Sequence, residues 1–167
     1  DNVGLLYVDG VLERQLAPGR YAFYEAVRRI DVATLDLRLQ TLEVTGQEVL
    51  TKDQIGIRAN VTAAYRIVDP VKAVSLTTDP KDHLYKELQF ALRRVVGTRT
   101  LDEVLGDKQG INAAMAELLL AGLAGAGLEV TTVGVKDIIL PGDVREMVNR
   151  VIEAEKSAKA NVIKRRE

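Results

Sequence analysis

Between Gln54 and Val68 the chain reads "QIGIRANVTAAYRIV", with apolar or small residues at nearly every second position. Ile55, Ile57, Ala59, Val61, Ala63, Tyr65 and Ile67 share one parity; Arg58, Asn60, Thr62 and Arg66 hold the other. A period of two sends the two sets to opposite faces of a β-strand, and no helix satisfies it. One face of a sheet built on this strand must therefore be covered and the other wetted. A one-residue deletion near Gly56 would exchange the faces and is expected to unfold the chain. What this strand requires is a second layer.

The rest of the first half also reads as β. Asp9-Gly10 stands between two apolar runs spanning Asn2 to Leu16, a hairpin signal because both turn positions need positive φ. Pro18-Gly19 marks a further turn. From Arg29 to Val44 the alternation continues through Leu35, Leu37 and Leu39, then shifts phase at Gln40-Thr41, as a β-bulge would cause. Gly46-Gln47 offers a turn before the long strand. Thr51-Lys52-Asp53 reads as a polar corner in which Asp53 bonds nearby backbone N–H groups, with Lys52 dispensable.

Helical punctuation begins at Asp69-Pro70 and is repeated at Asp79-Pro80, since Asp caps and Pro suits the first helical turn. A short helix is expected over 71–76. Leu84, Leu88, Ala91, Leu92, Val95 and Val96 then fall at helical spacing until Gly97. Thr100 with Glu103 is a capping box opening a short helix through Leu105. Asp107 caps a helix over about 108–126, with Gly127 as its C-cap. A strand over 128–140 follows, broken by Pro141-Gly142.

From Asp143 onward the chain reads as one helix. Val144, Val148, Val151, Glu155, Ala158 and Val162 recur at alternating spacings of four and three, a heptad seam. The seam is narrow, and Glu155 and Ala158 weaken it. A helix of about 37 Å with so little apolar surface is expected to project and pair with another helix. The fold class is α+β: an antiparallel or mixed sheet, packed helices and a long C-terminal helix as a coiled-coil stalk. The expected division is a globular domain over 1–141 and a stalk starting at 142–167.

Composition narrows the function. The 167 residues carry a formal charge of -1, so no global field draws the chain to nucleic acid or an acidic surface. Aromatics are only 4%, with no tryptophan, which argues against a stacking platform for single strands. The absence of cysteine removes disulfides, thiolate zinc sites and cysteine nucleophiles. No apolar run reaches the roughly 20 residues that cross a bilayer. The start at Asp1 rather than Met, and the end inside a helical pattern, are expected of an excised piece of a longer protein.

Candidate chemistry is thin. His83, the single histidine, is read as a solvated surface side chain, for want of partners for a metal or a nucleophile. Gly122, Gly125 and Gly127 close a helix instead of opening one, so a phosphate there would face carbonyl oxygens. Arg93-Arg94, Arg99 and Lys164-Arg165-Arg166 are basic spots on solvated faces, the last of them a possible contact for anionic lipid. Asp102-Glu103 belongs to a cap, and Glu153 and Glu155 to a wetted helix. Asn60-Val61-Thr62 has the form of a glycosylation site but lies inside a strand. No catalytic, cofactor-binding or metal residue is expected, and no cofactor.

A family resemblance enters with "QEVLTKD" at Gln47–Asp53 and "AAYRIVDPVKAV" at Ala63–Val74. These resemble the core of the stomatin, prohibitin, flotillin and HflK/C superfamily, also called SPFH or band 7. "LQFALRRVVGTRTLDEVLGDK" (Leu88–Lys108), "GLEVTTVGVKDIILP" (Gly127–Pro141) and "EAEKSAKANVIKRRE" (Glu153–Glu167) continue the likeness in order. It covers roughly Ile30 to Glu167 and is closest to stomatin-like slipins. The N-terminal part keeps the hairpin and the Pro-Gly turn with modest apolar content.

The resemblance implies a module without catalytic residues in a membrane-anchored protein, with the chain itself soluble. It further implies assembly into homo-oligomers, contact with membrane lipid through a segment outside this chain, and organisation or regulation of membrane proteins. A membrane protease of the NfeD type is an implied partner; nucleic acid is not. Two other readings stand beside this one: a lipid-binding module acting without oligomerisation, and a hydrolase of unrecognised type.

Overall fold

The computed structural model describes residues 1–24, 26 and 28–164. The strands form two three-stranded antiparallel sheets, and helices inserted between the last two strands of the second sheet cover one of its faces. In the first sheet, β1 (Asn2–Val8) lies between β2 (Val11–Leu16) and β3 (Ile30–Asp36). The β1–β2 hairpin turns at Asp9 and Gly10, both with positive φ (53° and 83°), as the Asp-Gly pair predicts. Since β2 and β3 both run antiparallel to β1, they are parallel to each other. The chain therefore leaves β2 at one end of the sheet, with Leu16 opposite Gly4, and enters β3 at the other, with Ile30 opposite Val8. Val3, Leu5, Leu6 and Leu16 are buried here.

The phase shift at Gln40 is real, but its cause is not a bulge. The chain leaves the first sheet at Asp36 and enters the second at Gln40, where β4 (Gln40–Leu50) begins. The link is clamped by the Asp36 carboxylate, which accepts from the Arg38 N–H (3.0 Å) and from the Arg38 guanidinium (2.6 Å to Nη2). The Gln40 side-chain amide closes onto the Asp36 carbonyl at 3.1 Å. A second correction concerns Gly46-Gln47, expected to turn. The strand runs through, and the register with β5 (Gly56–Ile67) shifts between Val44 and Gln47. Gly46 takes φ 64° there, and its N–H donates to Asn60 Oδ1 at 2.7 Å. This bulge is what a tight turn signal looks like when both flanks stay paired.

The odd-numbered residues of β5 from Ile57 to Ile67 are all buried, as the alternation requires. They are covered by α1 (Pro70–Leu76), α2 (Pro80–Gly97), α3 (Leu101–Gly106) and α4 (Lys108–Gly122). Asp69, Asp79, Thr100 and Asp107 cap the four helices with their side chains, at the positions the sequence marks. The six apolar residues predicted for α2 are its six buried ones.

Helix α4 stops at Gly122, several residues before the expected 126. Gly125 and Gly127 both adopt positive φ (77° and 68°), which unwinds the segment ahead of β6 (Leu128–Ile139). Gly127 is thus a junction between elements instead of a helix cap. Its carbonyl accepts from Val68 and Asp69 N–H groups (2.9 and 3.1 Å). A Cβ at that site would lie 2.2 Å from the Asp69 carbonyl oxygen. After β6, which pairs with β5, the chain ends in α5 (Gly142–Lys164), about 35 Å long.

Candidate functional site

The seam residues of α5 divide into two groups. Val144 and Val148 are half-buried and pack against the main core. Beyond Val148 every described residue of the helix is exposed, including Val151 at 54%, Glu155, Ala158 and Val162. Sequence reasoning missed Met147, Ile152 and Ile163, which are also exposed on α5. Met147 precedes Val151 by one helical turn, and Ile152 follows Val148 at the same spacing, so both widen the apolar stripe beyond the strict heptad. A search for a full apolar face would have found them where a heptad search did not. The helix is rooted by backbone contacts: Arg145 N–H donates to Pro141 O at 2.9 Å.

Beside that root, a cleft of about 570 Å³ opens where β4 and β6 end and β5 begins, with Leu50, Ile57 and Ile139 on its walls. Leu50 and Ile139 are exposed, and Arg58 and Glu48 on its rim are ion-paired at 2.8 Å. Arg66–Glu129 and Lys136–Glu43 cross the same wetted side of the sheet. Exposed pairs of this kind add little stability but leave few uncompensated charges on the face.

The polar corner before β5 is structural. Thr51 is buried, and its hydroxyl bonds the Asp53 carboxylate while accepting the Ile55 N–H at 3.1 Å. Asp53 in turn accepts the Leu101 N–H at 3.2 Å, and Lys52 N–H donates to Arg99 O at 2.7 Å. The corner thereby docks onto the Gly97–Leu101 bend between α2 and α3. The Thr51 hydroxyl, then the Leu101 N–H, hold the Asp53 carboxyl below its ordinary pKa. The Lys52 side chain is exposed.

Other candidates fall as follows. His83 is half-buried, with Nε2 shielded from solvent and without a hydrogen-bond partner, which corrects its reading as a solvated histidine. Arg99 is also no simple solvated cation, since its guanidinium reaches Val95 O and Gly110 O, both at 3.4 Å. Arg93 and Arg94 are exposed, as expected. Arg165 and Arg166 lie outside the described residues. Glu103 accepts Thr100 N–H at 2.8 Å in the capping box, and Asn60 is engaged with Gly46. Among the described residues no three His, Asp or Glu side chains are placed to hold a metal ion, and no helix is long and apolar enough to cross a membrane.

Comparison with known proteins follows the architecture. The model of the SPFH domain / Band 7 family matches residues 1–167. The chain belongs to this family. Among its relatives, a stomatin homolog of Pyrococcus horikoshii is 35% identical to this band 7 chain over 131 residues, covering 77% of the chain and 48% of that protein. Stomatin-3 of Caenorhabditis elegans is 32% identical over 130 residues, covering 78% and 49%. A protein of Archaeoglobus fulgidus is 32% identical over 164 residues, covering 96% and 64%. The chain thus spans between about half and two thirds of the length of these relatives. The names of the Pyrococcus and Caenorhabditis relatives agree with the stomatin resemblance carried by "QEVLTKD", and the mixed α and β architecture agrees with the expected fold class.

Proposed function

We propose that this band 7 chain is a non-catalytic module of a membrane-associated, homo-oligomeric scaffold that organises or regulates membrane proteins. The observation that carries the reading is the exposed apolar stripe of α5 beyond Val148, which the body of the chain leaves uncovered. Such a stripe gains by pairing with a second helix. Family membership supports the membrane part, since membrane association is typical of the band 7 family. On this reading residues 1–141 form the body and 142–167 begin the stalk, with Val144, Val148, Val151, Glu155, Ala158 and Val162 as its seam. A membrane protease of the NfeD type is the partner that the slipin likeness suggests, and lipid is engaged through a segment outside this chain.

Sedimentation velocity across a concentration series tests the assembly. The chain is expected to associate reversibly, and a Met147→Glu, Val151→Lys variant to remain monomeric with an unchanged melting temperature. A strict monomer at the highest concentrations for the unaltered chain would overturn the reading.

A further inference from the structure

The buried residues of the first sheet, Val3, Leu5, Leu6 and Leu16, stand apart from the core under the helices. Among the described residues no strand of one sheet pairs with a strand of the other. The two units therefore have separate cores, and the chain passes from one to the other through Leu37, Arg38 and Leu39. Leu35 and Leu37, both half-buried, seat this end of the first sheet against the main core. The backbone of Leu37 still belongs to the first sheet, since its N–H donates to Asp1 O at 3.0 Å. A pivot can lie only beyond it, at Arg38 and the exposed Leu39.

Polar bonds close over this pivot as a short relay. The Asp36 carboxylate holds the Arg38 N–H and guanidinium, and the Gln40 side-chain N–H donates to the Asp36 carbonyl at 3.1 Å. On the other side Gln40 Oε1 accepts the hydroxyl of Tyr65, also at 3.1 Å, and Tyr65 is buried in the body. One amide thus bridges the last residue of the first sheet and the central strand of the second. Single hydrogen bonds and exposed ion pairs are weak individually. They can fix an angle without fusing two cores. We propose that the first sheet is a rigid unit on a hinge at Arg38 and Leu39, and that Asp36, Arg38, Gln40 and Tyr65 form the latch that sets its angle to the helix-covered body. In such hinges a few residues between elements absorb the dihedral change that carries a whole unit. Because α5 grows from the body, opening the latch re-aims the first sheet relative to α5. The inference goes beyond the scaffold reading and does not depend on self-association.

The chain lacks cysteine, so spin labels can be placed in chosen pairs. Val11→Cys marks the end of the first sheet farthest from the link, since Val11 lies opposite Val8 and Asp36 opposite Asn2. Leu76→Cys, exposed at the end of α1, marks the body. Distances between the labels are read in the full chain, diluted into unlabelled chain so that other copies do not contribute. The unaltered latch should give one narrow distribution. Gln40→Ala, which cuts the relay on both sides, should displace or broaden it by about 5 Å, the movement that a swing of about 15° produces at the end of a strand roughly 20 Å long. Tyr65→Phe and Arg38→Ala should act in the same direction. Pairs within one unit, Val11→Cys with Thr34→Cys and Leu76→Cys with Phe90→Cys, should keep their distances in every variant.

An inter-unit distance as narrow in Gln40→Ala and Tyr65→Phe as in the unaltered chain would overturn the latch, because the seat of Leu35 and Leu37 would then hold the angle alone. Broadening of the within-unit pairs in the same variants would also overturn it, since the relay would then stabilise folding instead of an angle. A distribution already broad with the latch intact would leave no angle for these residues to set.

Discussion

Leu101 donates its backbone N–H to the carboxylate of Asp53 at 3.2 Å, joining the corner before β5 to the start of α3 across 48 positions of sequence. The same carboxylate receives the Thr51 hydroxyl, so one side chain fixes both the entry to the long strand and the first turn of a helix. Asp53→Ala removes the acceptor for both groups and should lower the melting temperature clearly. Lys52→Ala, one residue away and exposed, should leave it within about 0.5 kcal/mol of the unaltered chain. Differential scanning calorimetry on the two variants distinguishes a structural corner from an interchangeable polar loop.

Acid should loosen the fold through identifiable carboxylates. Asp36 is held down to about 2, first by the Arg38 guanidinium and then by the Arg38 N–H. Asp69 is lowered by the Lys72 N–H and ammonium, and Asp53 by Thr51 and Leu101. Each folded-state value lies below the unfolded carboxylate pKa of about 3.9, so each contribution is fully present above that pH. It is lost as pH falls through the folded value, which for Asp36 is about 2. Urea midpoints should therefore drop more steeply between about pH 4 and pH 2 for the native chain than for Asp36→Asn with Asp53→Asn. The gap between the two proteins should be widest near neutrality.

Gly127 and Gly106 should respond oppositely to a methyl group. At Gly127 a Cβ meets the Asp69 carbonyl at 2.2 Å and the Ala73 nitrogen at 2.9 Å, at a φ of 68°. Gly127→Ala should cost about 3 kcal/mol or more. At Gly106, in α3, a Cβ meets nothing within 4 Å, and Gly106→Ala should be neutral or stabilising by up to about 1 kcal/mol. Urea denaturation of both variants reads the difference, and equal stabilities would refute the close approach at Gly127.

Val148 and Val151 separate stability from assembly. Val148 is half-buried against the core, so Val148→Asp should lower both the melting temperature and self-association. Val151 faces solvent, and Val151→Asp should reduce association while the melting temperature holds. An equal thermal loss in the two variants would mean that α5 is covered further along its length than Val148.

The long strand, the four helix caps and the six core positions of α2 were legible because each is a local pattern with one physical solution. A strict period of two from Ile57 to Ile67 admits only a half-buried strand, and Asp69-Pro70 or Thr100 with Glu103 admits little but a helix start. The change of sheet between Asp36 and Gln40 was not legible. Locally a bulge and a sheet exchange give the same phase shift, and only the pairing of β3 with β1 and of β4 with β5 tells them apart. Gly46 failed for a related reason, since positive φ serves turns and bulges alike. His83 was misplaced because side-chain burial depends on what α2 packs beside, which no local signal contains. On α5 a heptad search found Val151 and Val162 but passed over Met147 and Ile152.

The pairing of β5 with β6 has a consequence in time. Even its nearest partners, Ile67 and Leu128, are some sixty residues apart, and α1 to α4 lie between them. The second sheet cannot close until that whole helical segment has been made and compacted, which marks its closure as a slow step for a chain of this size. Helix α5 follows β6 directly, so during synthesis from the N-terminus its apolar stripe emerges only after the last strand of the second sheet. On the scaffold reading, the stripe is produced only after every described strand and helix of the body is available to fold, an order that would leave an unfinished chain without its pairing surface.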